Sequence, residues 1–284
     1  MLITFLGTSA ANAYPEAFCM CKNCKKARAL GGESLRKRSS VLVNDDLLID
    51  LGPDIMTSSQ MHGISLTKVG YCLQTHPHSD HLDLSHLLSR SPGYGVEGAP
   101  RLHFYASRET IARAAETFER DLSSHKLLSP DTPKLLNLEI HTIEPLQPFS
   151  FGTYRVIAFP ANHAHSMGAM LYSVESEGGT LFYGTDTAVL PEEIWKAFAG
   201  FDMRFDAVIL DHTYGPEEPG SDHLCAHDVI AHFTRMRKLG LLKPRARLLA
   251  THIAHEGNPP HPVLGDFASL NGYEIAFDGL VCQI

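Results

Sequence analysis

The sequence of 284 residues lacks any run near the ~20 consecutive apolar residues that a membrane-spanning helix requires. It is also short of positive charge, with 24 lysine and arginine residues against 32 aspartate and glutamate residues, for a formal net charge of −8. A chain of this charge has no bulk attraction to nucleic acid or to anionic lipid. Its first residues contain no basic cluster and do not resemble a signal peptide. We therefore expect a cytoplasmic protein without a membrane partner.

Cysteine is too sparse for a disulfide scaffold, because the chain contains only six. Three of them form a compact cluster, Cys19-x-Cys21-x-x-Cys24. The other three are scattered in apolar surroundings and are predicted to be small core residues: Cys72, Cys225 and Cys282. This usage is typical of a reducing cytoplasm.

The remaining composition is that of an ordinary globular protein, with 44% hydrophobic and 20% charged residues. Short β-rich runs recur in both halves of the chain, and each half also contains helical segments. Two sheets packed face to face, with helices on their outer faces, bury such a pattern economically. We expect a single α/β domain over residues 1–284, because no linker or internal repeat divides the chain.

The expected elements follow from the apolar runs and the residues that border them. Predicted strands cover residues 2–6, 40–44, 47–51, 69–75, 101–106, 138–143, 154–159, 169–175, 180–183, 207–210 and 247–251, and two short strands end the chain. Predicted helices cover residues 84–88, 226–239 and 262–270, a segment after Pro191, and a segment from the N-cap Ser107 to about Glu119. The polar segment 121–136, with two prolines, is predicted to be irregular.

The strongest local signal is the segment Thr75-His76-Pro77-His78-Ser79-Asp80-His81, which directly follows an apolar run. Alternate residues at a strand end face the same way, so His76 and His78 can share one metal ion. Asp80 and His81, where the chain turns toward the next helix, can face a second ion. Imidazole and carboxylate ligands suit zinc, and also manganese or iron.

One loop cannot complete the coordination of two ions, so further ligands must come from elsewhere in the chain. Polar residues follow several other apolar strands, which is where α/β proteins assemble their sites. These candidates are His163, Asp186, Asp211, His212 and His252. His212 should point to the side opposite Asp211 if the strand continues through both residues.

The order H-x-H-x-D-H, then a lone histidine, an aspartate and another lone histidine, resembles the metallo-β-lactamase superfamily of dinuclear metallohydrolases over nearly the whole chain. The resemblance includes Leu6-Gly7-Thr8 and Leu48-Ile49-Asp50-Leu51-Gly52. It implies an αββα sandwich of two mixed β-sheets and an active site with two divalent metal ions.

The same resemblance implies which of the two ions each candidate ligand binds. His76, His78 and His163 hold one ion, Asp80, His81 and His252 hold the other, Asp186 bridges both, and Asp50 has a supporting role. His165 lies two residues from His163 and competes with it as a ligand. The family pattern Asn162-His163 favours His163.

The cysteine cluster, together with Thr251-His252-Ile253-Ala254-His255, resembles the phosphoribosyl 1,2-cyclic phosphate phosphodiesterase (PhnP-type) family of bacterial phosphonate breakdown. That resemblance implies a structural zinc ion held by Cys19, Cys21, Cys24 and His255. Three thiolates and one imidazole also form a closed tetrahedral zinc site on chemical grounds. The alternative is a set of three reduced cysteines with no common ligand.

The resemblance implies that a metal-bridged hydroxide attacks a small cyclic phosphate ester such as phosphoribosyl cyclic phosphate. Metal binding lowers the pKa of water from about 16 to about 7, so this nucleophile exists at neutral pH.

The same resemblance assigns catalytic roles to Asp80, Asp211 and His223. Asp211 and His223 resemble a carboxylate–histidine pair that related phosphodiesterases use near the leaving group, and a solvated loop position is the alternative for His223. Tyr214 is a candidate substrate contact, although the phosphonate-pathway family has a histidine at or near that place.

Other functions within the superfamily stay open. An RNA-processing nuclease is disfavoured by the acidic balance and because the Gly- and Pro-containing region Ser91–Pro100 is short and has no lysine. A non-hydrolytic protein like the pyrroloquinoline-quinone biosynthesis member shares C-x-C-x-x-C, but such relatives tend to lose parts of the dinuclear set. The dinuclear site alone also permits a lactonase or thioesterase.

We expect the protein to bind a small-molecule phosphate ester as its substrate. The family resemblance also allows a homodimer.

The chain contains 17 histidines, and eight of them have no partner pattern. We expect these to be surface residues or hydrogen-bonded core residues: His62, His86, His103, His125, His141, His227, His232 and His261.

Overall fold

The computed structural model describes residues 1–122, 126–216 and 218–284, so His125 lies outside the described residues. The strands, in chain order, are β1 (Leu2–Gly7), β2 (Ser40–Val43), β3 (Leu47–Ile49), β4 (Tyr71–Leu73), β5 (Leu102–Ala106), β6 (Leu138–Thr142), β7 (Phe149–Phe151), β8 (Tyr154–Pro160), β9 (Met170–Ser176), β10 (Gly179–Gly184), β11 (Phe205–Asp211), β12 (Leu242–Thr251), β13 (Glu274–Ile275) and β14 (Val281–Gln283). The helices are α1 (Lys22–Leu30), α2 (Ile55–His62), α3 (Ser85–Ser89), α4 (Arg108–Asp121), α5 (Thr132–Leu135), α6 (Glu192–Gly200), α7 (Ala226–Lys238) and α8 (His261–Leu270).

The strands form two mixed sheets of seven strands each. The first sheet has the order β14-β1-β2-β3-β4-β5-β6, and the second has the order β13-β12-β11-β10-β9-β8-β7. Strands β3 to β6 run parallel to one another, as do β10 to β13. The final strand β14 returns to pair with β1, so the two ends of the chain meet in the first sheet.

Apolar residues on both faces of the strands bury the sheets on both sides. On β10, Leu181 and Tyr183 belong to the core between the sheets, whereas Phe182 belongs to the core under the outer helices. On β11, Ile209 faces inward and Leu210 faces outward in the same way. A strand covered on both faces reads as a continuous apolar run, which is why these segments stood out in the sequence.

Helices cover the outer face of each sheet. The amphipathic helix α4 packs Ile111 and Phe118 into the core of the first sheet. Helix α6 contributes Phe198 and α7 contributes Phe233 to the core of the second sheet. The expected αββα sandwich is therefore confirmed.

The structure also differs from the expected elements in several places. Helix α2 was missed because only Ile55 and Ser58 of it are buried, so it has no amphipathic stripe to detect. Strand β7 was also missed. Strand β4 is shorter than predicted, and the segment predicted to be irregular contains the short helix α5. Helix α6, in contrast, begins at Glu192, directly after Pro191 as expected, and Pro191 is its N-cap.

The topology brings five strand ends to one edge of the sandwich. Strands β10, β11 and β12 are parallel, and β8 points the same way because both β8 and β10 are antiparallel to β9. In the other sheet, the chain after β4 is tied to this edge by the Tyr172 hydroxyl, which donates to the Gln74 carbonyl at 2.6 Å. The Met170 amide donates to the Thr75 carbonyl at 3.0 Å. The polar residues that follow these strands therefore meet at one edge.

A search of the described part of the chain for a helix long and apolar enough to cross a bilayer finds none.

Candidate metal centre

One group of candidate ligands lies beyond the ends of β4 and β8. His76 Nε2 lies 2.8 Å from His78 Nδ1 and 3.1 Å from Asp186 Oδ2. His163 Nε2 approaches the same two atoms at 3.5 Å and 3.8 Å. Ligand atoms at about 2.0–2.1 Å from a tetrahedral zinc ion lie about 3.3 Å apart, so these four atoms can surround one ion.

A second group lies beside the first and shares Asp186 with it. His81 Nε2 lies 3.2 Å from Asp80 Oδ2, 3.4 Å from His252 Nε2 and 3.1 Å from Asp186 Oδ2. The other oxygen of Asp186, Oδ1, lies 2.6 Å from His252 Nε2. The carboxylate of Asp186 therefore stands between the two groups, where one residue can contact two ions.

The backbone is bent to aim several of these side chains. Asp50, Asp186 and His252 have positive φ angles of 68°, 52° and 61°. Non-glycine residues rarely adopt this left-handed conformation, and each instance costs about 1–3 kcal/mol that the surrounding structure must offset. Such residues cluster at functional sites.

Asp50 orients the ligands that follow β4. Its carboxylate is buried and accepts hydrogen bonds from the Thr75 amide and hydroxyl, both at 2.8 Å, and from Gln74 Nε2 at 3.0 Å. Its other oxygen lies 2.7 Å from His81 Nδ1. A proton on His81 Nδ1 leaves Nε2 free for a metal ion. Thr75 extends the same arrangement to His76, because its hydroxyl lies 3.0 Å from His76 Nδ1.

Asp211, on β11 of the second sheet, also orients a candidate ligand. Its Oδ1 accepts from the Thr213 amide at 2.9 Å and hydroxyl at 2.8 Å, and the Thr213 hydroxyl lies 2.8 Å from His252 Nδ1. This orients His252 with Nε2 toward Asp186. The other oxygen of Asp211 lies 2.7 Å from His223 Nδ1, so one carboxylate positions both a candidate ligand and a candidate proton donor.

The electrostatics of the centre favour added positive charge. Burial alone lowers the pKa of His252, but the carboxylates of Asp186 and Asp80 outweigh burial and raise it to about 10. The pKa of His81 is also raised, because Asp186, Asp80 and Asp50 outweigh its burial. Asp186 Oδ1 is buried without a hydrogen bond although His252 Nε2 is close by. A buried carboxylate among imidazole nitrogens requires a cation, so this donor set fits divalent metal ions.

The cysteine cluster forms a separate group with His255. The Sγ atoms of Cys19 and Cys21 lie 3.8 Å and 3.6 Å from His255 Nδ1. All four ligand atoms, including that of Cys24, lie within 4.8 Å of one another. Sulfur and nitrogen ligands of tetrahedral zinc lie about 3.6 Å apart, so the spacing fits this ion.

Local structure prepares Cys21 as a ligand. Cys21 is the N-cap of α1, and its sulfur accepts a hydrogen bond from the Cys24 amide at 3.4 Å. Burial alone raises the pKa of Cys21, but that amide and the His255 ring lower it to about 6. A thiolate, which is the form that binds zinc, is therefore available at neutral pH. The Asn23 side chain donates to the His255 carbonyl at 2.9 Å and holds the two segments together.

The candidate metal centre opens into a cleft of about 370 Å³. Its walls include His78, Asp80, His163, Asp186, His223 and His252, with Ala10–Ala13, Thr213, Tyr214, Asp222 and Ala254–Glu256. Among the described residues that line this cleft, none is lysine or arginine. Tyr214 stands at the rim, where its hydroxyl donates to the Asp222 carboxylate.

The structure places the competing histidines away from the ligand atoms. Within the described residues, the groups that could hold a metal ion include His163 and not His165, which begins a short 3₁₀ turn over His165–Met167. His212 points away from Asp211, as expected, with its ring 3.0 Å from Asn258 Oδ1 and 2.8 Å from the Tyr273 hydroxyl.

Sequence reasoning missed the residues that orient the ligands. Thr75 and Thr213 directly adjoin the ligand segments, and Gln74 holds the loop through the carbonyls of His76 and His81, both at 3.0 Å. Their polar character at the end of an apolar strand was the only available signal. The expectation for the isolated histidines holds for His232, which is buried and accepts from the Leu190 amide at 3.1 Å.

We predict that Asp186→Ala removes metal from the candidate centre and lowers catalytic activity, measured as kcat/KM, by about 10²–10⁴-fold, because both groups lose a shared ligand. Metal analysis and kinetics on the folded variant measure this. The exposed Asp45→Ala is the matched control and should keep full activity. Full activity in Asp186→Ala would exclude a bridging role.

Cys21→Ser should remove one zinc ion per chain and lower Tm by about 4 °C or more, because structural zinc contributes to folding. Serine is a good N-cap, so the variant keeps the cap of α1 and isolates the loss of the metal ligand. Cys282→Ser alters a buried cysteine outside the cluster and should retain all the zinc. Equal zinc content in both variants would contradict the site.

Solved structures with the same fold span several activities. A diphosphatase from the PhnP family has a TM-score of 0.74 and 20% identity, with 100% of this chain and 97% of that chain covered. Zinc-bound PqqB from Methylobacterium extorquens has a TM-score of 0.70 and 21% identity, with 100% of both chains covered. The short form of human tRNase Z has a TM-score of 0.64 and 19% identity, with 100% and 99% covered. At these identities the likeness establishes the fold alone.

A search of curated proteins found no match to this sequence. The family model for the beta-lactamase superfamily domain, in contrast, matches residues 46–253. This range is more than half of the chain and contains every candidate ligand of the groups that share Asp186. The expected resemblance is confirmed, and the chain belongs to the metallo-β-lactamase superfamily of metal-dependent hydrolases.

Proposed function

We propose that this protein is a phosphodiesterase that hydrolyses a small phosphate ester, preferably a cyclic one such as phosphoribosyl cyclic phosphate. The observation that carries the proposal is the Asp211–His223 pair, 2.7 Å apart at the rim of the candidate centre. His223 Nδ1 lies 4.0 Å from Asp186 Oδ1, and Asp211 and His223 form a third close group of possible ligands with Asp186 and His252. The groups built on His76 and on His81 each contain four ligand atoms without Asp211 or His223, so the pair can act as a proton donor beside them. An alkoxide leaving group requires a proton donor in such a place.

Two divalent ions, zinc, manganese or iron, would be held one by each of two groups: His76, His78, His163 and Asp186, and Asp80, His81, His252 and Asp186. When bound, they supply a water of lowered pKa and neutralise charge on the phosphoryl oxygens. The cysteine cluster would hold one structural zinc ion. The other functions of the site come from the chain itself.

His223 is suited to donate the proton. Burial alone lowers its pKa, but the Asp211 carboxylate outweighs burial and holds the pKa above its ordinary value. Because Nδ1 is bonded to Asp211, the free Nε2 of the ring is the donor for the departing oxygen. Asp211 keeps the imidazolium in this orientation, and Thr213 in turn fixes the carboxylate.

The cleft supports a small, hydroxyl-rich substrate. Its volume of about 370 Å³ is in the range of small-molecule sites. Hydrogen bonds from Tyr214 and Ser221 lower the pKa of Asp222 to about 2, so its carboxylate is charged at neutral pH and can accept from a sugar hydroxyl. The described residues that line the cleft include no lysine or arginine, which are the side chains that neutralise the successive phosphates of RNA.

We predict that the alkaline limb of the kcat–pH profile reports His223, since a general acid is lost as the pH rises through its pKa. Asp211→Asn should move this limb to lower pH, because the carboxylate that raises the pKa is gone. His223→Gln should abolish the limb and lower kcat by about 10²–10⁴-fold. A limb at the same pH in Asp211→Asn would contradict the assignment.

The most direct test of the substrate class is a hydrolysis panel on the metal-loaded enzyme. It compares cyclic and linear phosphodiesters with a diphosphate ester, RNA and a lactone, and uses Asp186→Ala as the blank. We expect the highest kcat/KM on a cyclic phosphodiester. Cleavage of the lactone alone, or of RNA alone, would overturn the proposal in favour of the corresponding alternative.

A further inference from the structure

Two histidines without a partner pattern in the sequence meet on the surface of the first sheet. His103 lies on β5 and His141 lies on the edge strand β6, with Glu139 two residues before it. The parallel register pairs His103 with Glu139 and Tyr105 with His141, so all four side chains project from the same face. His103 and His141 therefore lie side by side, although no pattern in the sequence links them.

The donor atoms of this cluster converge on a common point. His103 Nδ1 lies 3.1 Å from His141 Nε2, close to the about 3.3 Å between two nitrogen ligands of tetrahedral zinc. The two carboxylate oxygens of Glu139 lie 3.8 Å from these nitrogens, one from each. Three donors of this kind form a set of two imidazoles and one carboxylate, which zinc sites use with the fourth position open to solvent.

Aromatic packing holds both imidazole rings in place. The ring of His141 stacks on Tyr105 with the centroids 4.5 Å apart and the planes 14° apart. The ring of His103 packs against Tyr71 at 5.7 Å and against His141 at 5.3 Å. Rings fixed in this way lose little conformational freedom on binding an ion, which favours affinity.

The cluster is also accessible. Side-chain exposures are 32% for His103, 44% for Glu139 and 30% for His141. The guanidinium of Arg101, which is 49% exposed, lies 3.8 Å from the Glu139 carboxylate. An exposed ion pair of that length contributes little to stability, so a divalent ion that binds Glu139 can displace Arg101.

We propose that His103, Glu139 and His141 form a surface binding site for one divalent ion of the zinc class. The site is separate from the metal centre, because its ligands come from β5 and β6 and not from the loops beyond β4, β8, β10 and β12. An ion there cross-links the edge strand β6 to β5, and so stabilises the end of the first sheet that lacks a further strand.

The test titrates zinc into protein whose metal centre and cysteine site are already loaded, with the bound metal counted after desalting and binding followed by calorimetry. We expect the unaltered protein to take up one further zinc ion and to gain Tm with zinc. His141→Asn and Glu139→Gln should each lose this additional binding and the zinc-dependent gain in Tm, with hydrolysis unchanged. His227→Asn, an exposed histidine on α7, is the matched control and should bind like the unaltered protein.

The design separates a metal site from a plain histidine–histidine hydrogen bond. If the loaded protein takes up no further zinc, or if His141→Asn and Glu139→Gln both bind as much as the control, the proposal is overturned. Magnesium should not bind, since it prefers a full set of oxygen ligands. Magnesium uptake equal to that of zinc would also count against the proposal.

Discussion

Two buried carboxylates, one in each sheet, determine the geometry of the candidate centre. Asp50 is hydrogen-bonded directly to His81, and it is linked to His76 through the hydroxyl of Thr75. Asp211 reaches His252 through Thr213 in the same manner. A buried charge is tolerated only when its oxygens are satisfied, so each carboxylate enforces a network of donors around itself. The consequence is that the imidazole nitrogens left free all point into one volume, with Asp186 between them.

This arrangement depends on the packing of the sandwich. The ligands come from loops on two different sheets, so their spacing is set by how the sheets lie against each other. Contacts such as the Tyr172 hydroxyl on the Gln74 carbonyl lock one sheet to the loop of the other. The large apolar area between the sheets makes this relation rigid, because a close-packed core resists small displacements. The packed core of the two sheets therefore sets where the ligand-bearing loops lie relative to each other.

The fold and the candidate ligands could be predicted because each corresponds to a local pattern in the sequence. Histidines and aspartates after apolar runs, in a fixed order, are visible without a structure, as is the spacing of Cys19, Cys21 and Cys24. The roles of Thr75 and Thr213 could not be predicted, since a threonine beside a ligand has no distinguishing pattern. The meeting of His103 with His141 was also invisible, because it arises from the register between two parallel strands. Pairing of this kind links positions far apart in the chain and follows only from the assembled sheet.

The proposed active site requires two ions that share Asp186, and anomalous X-ray diffraction from crystals of the metal-loaded protein locates them directly. We predict two peaks on either side of the Asp186 carboxylate, one among His76, His78 and His163 and the other among Asp80, His81 and His252. A single peak, or a peak whose ligands exclude Asp186, would contradict a shared Asp186.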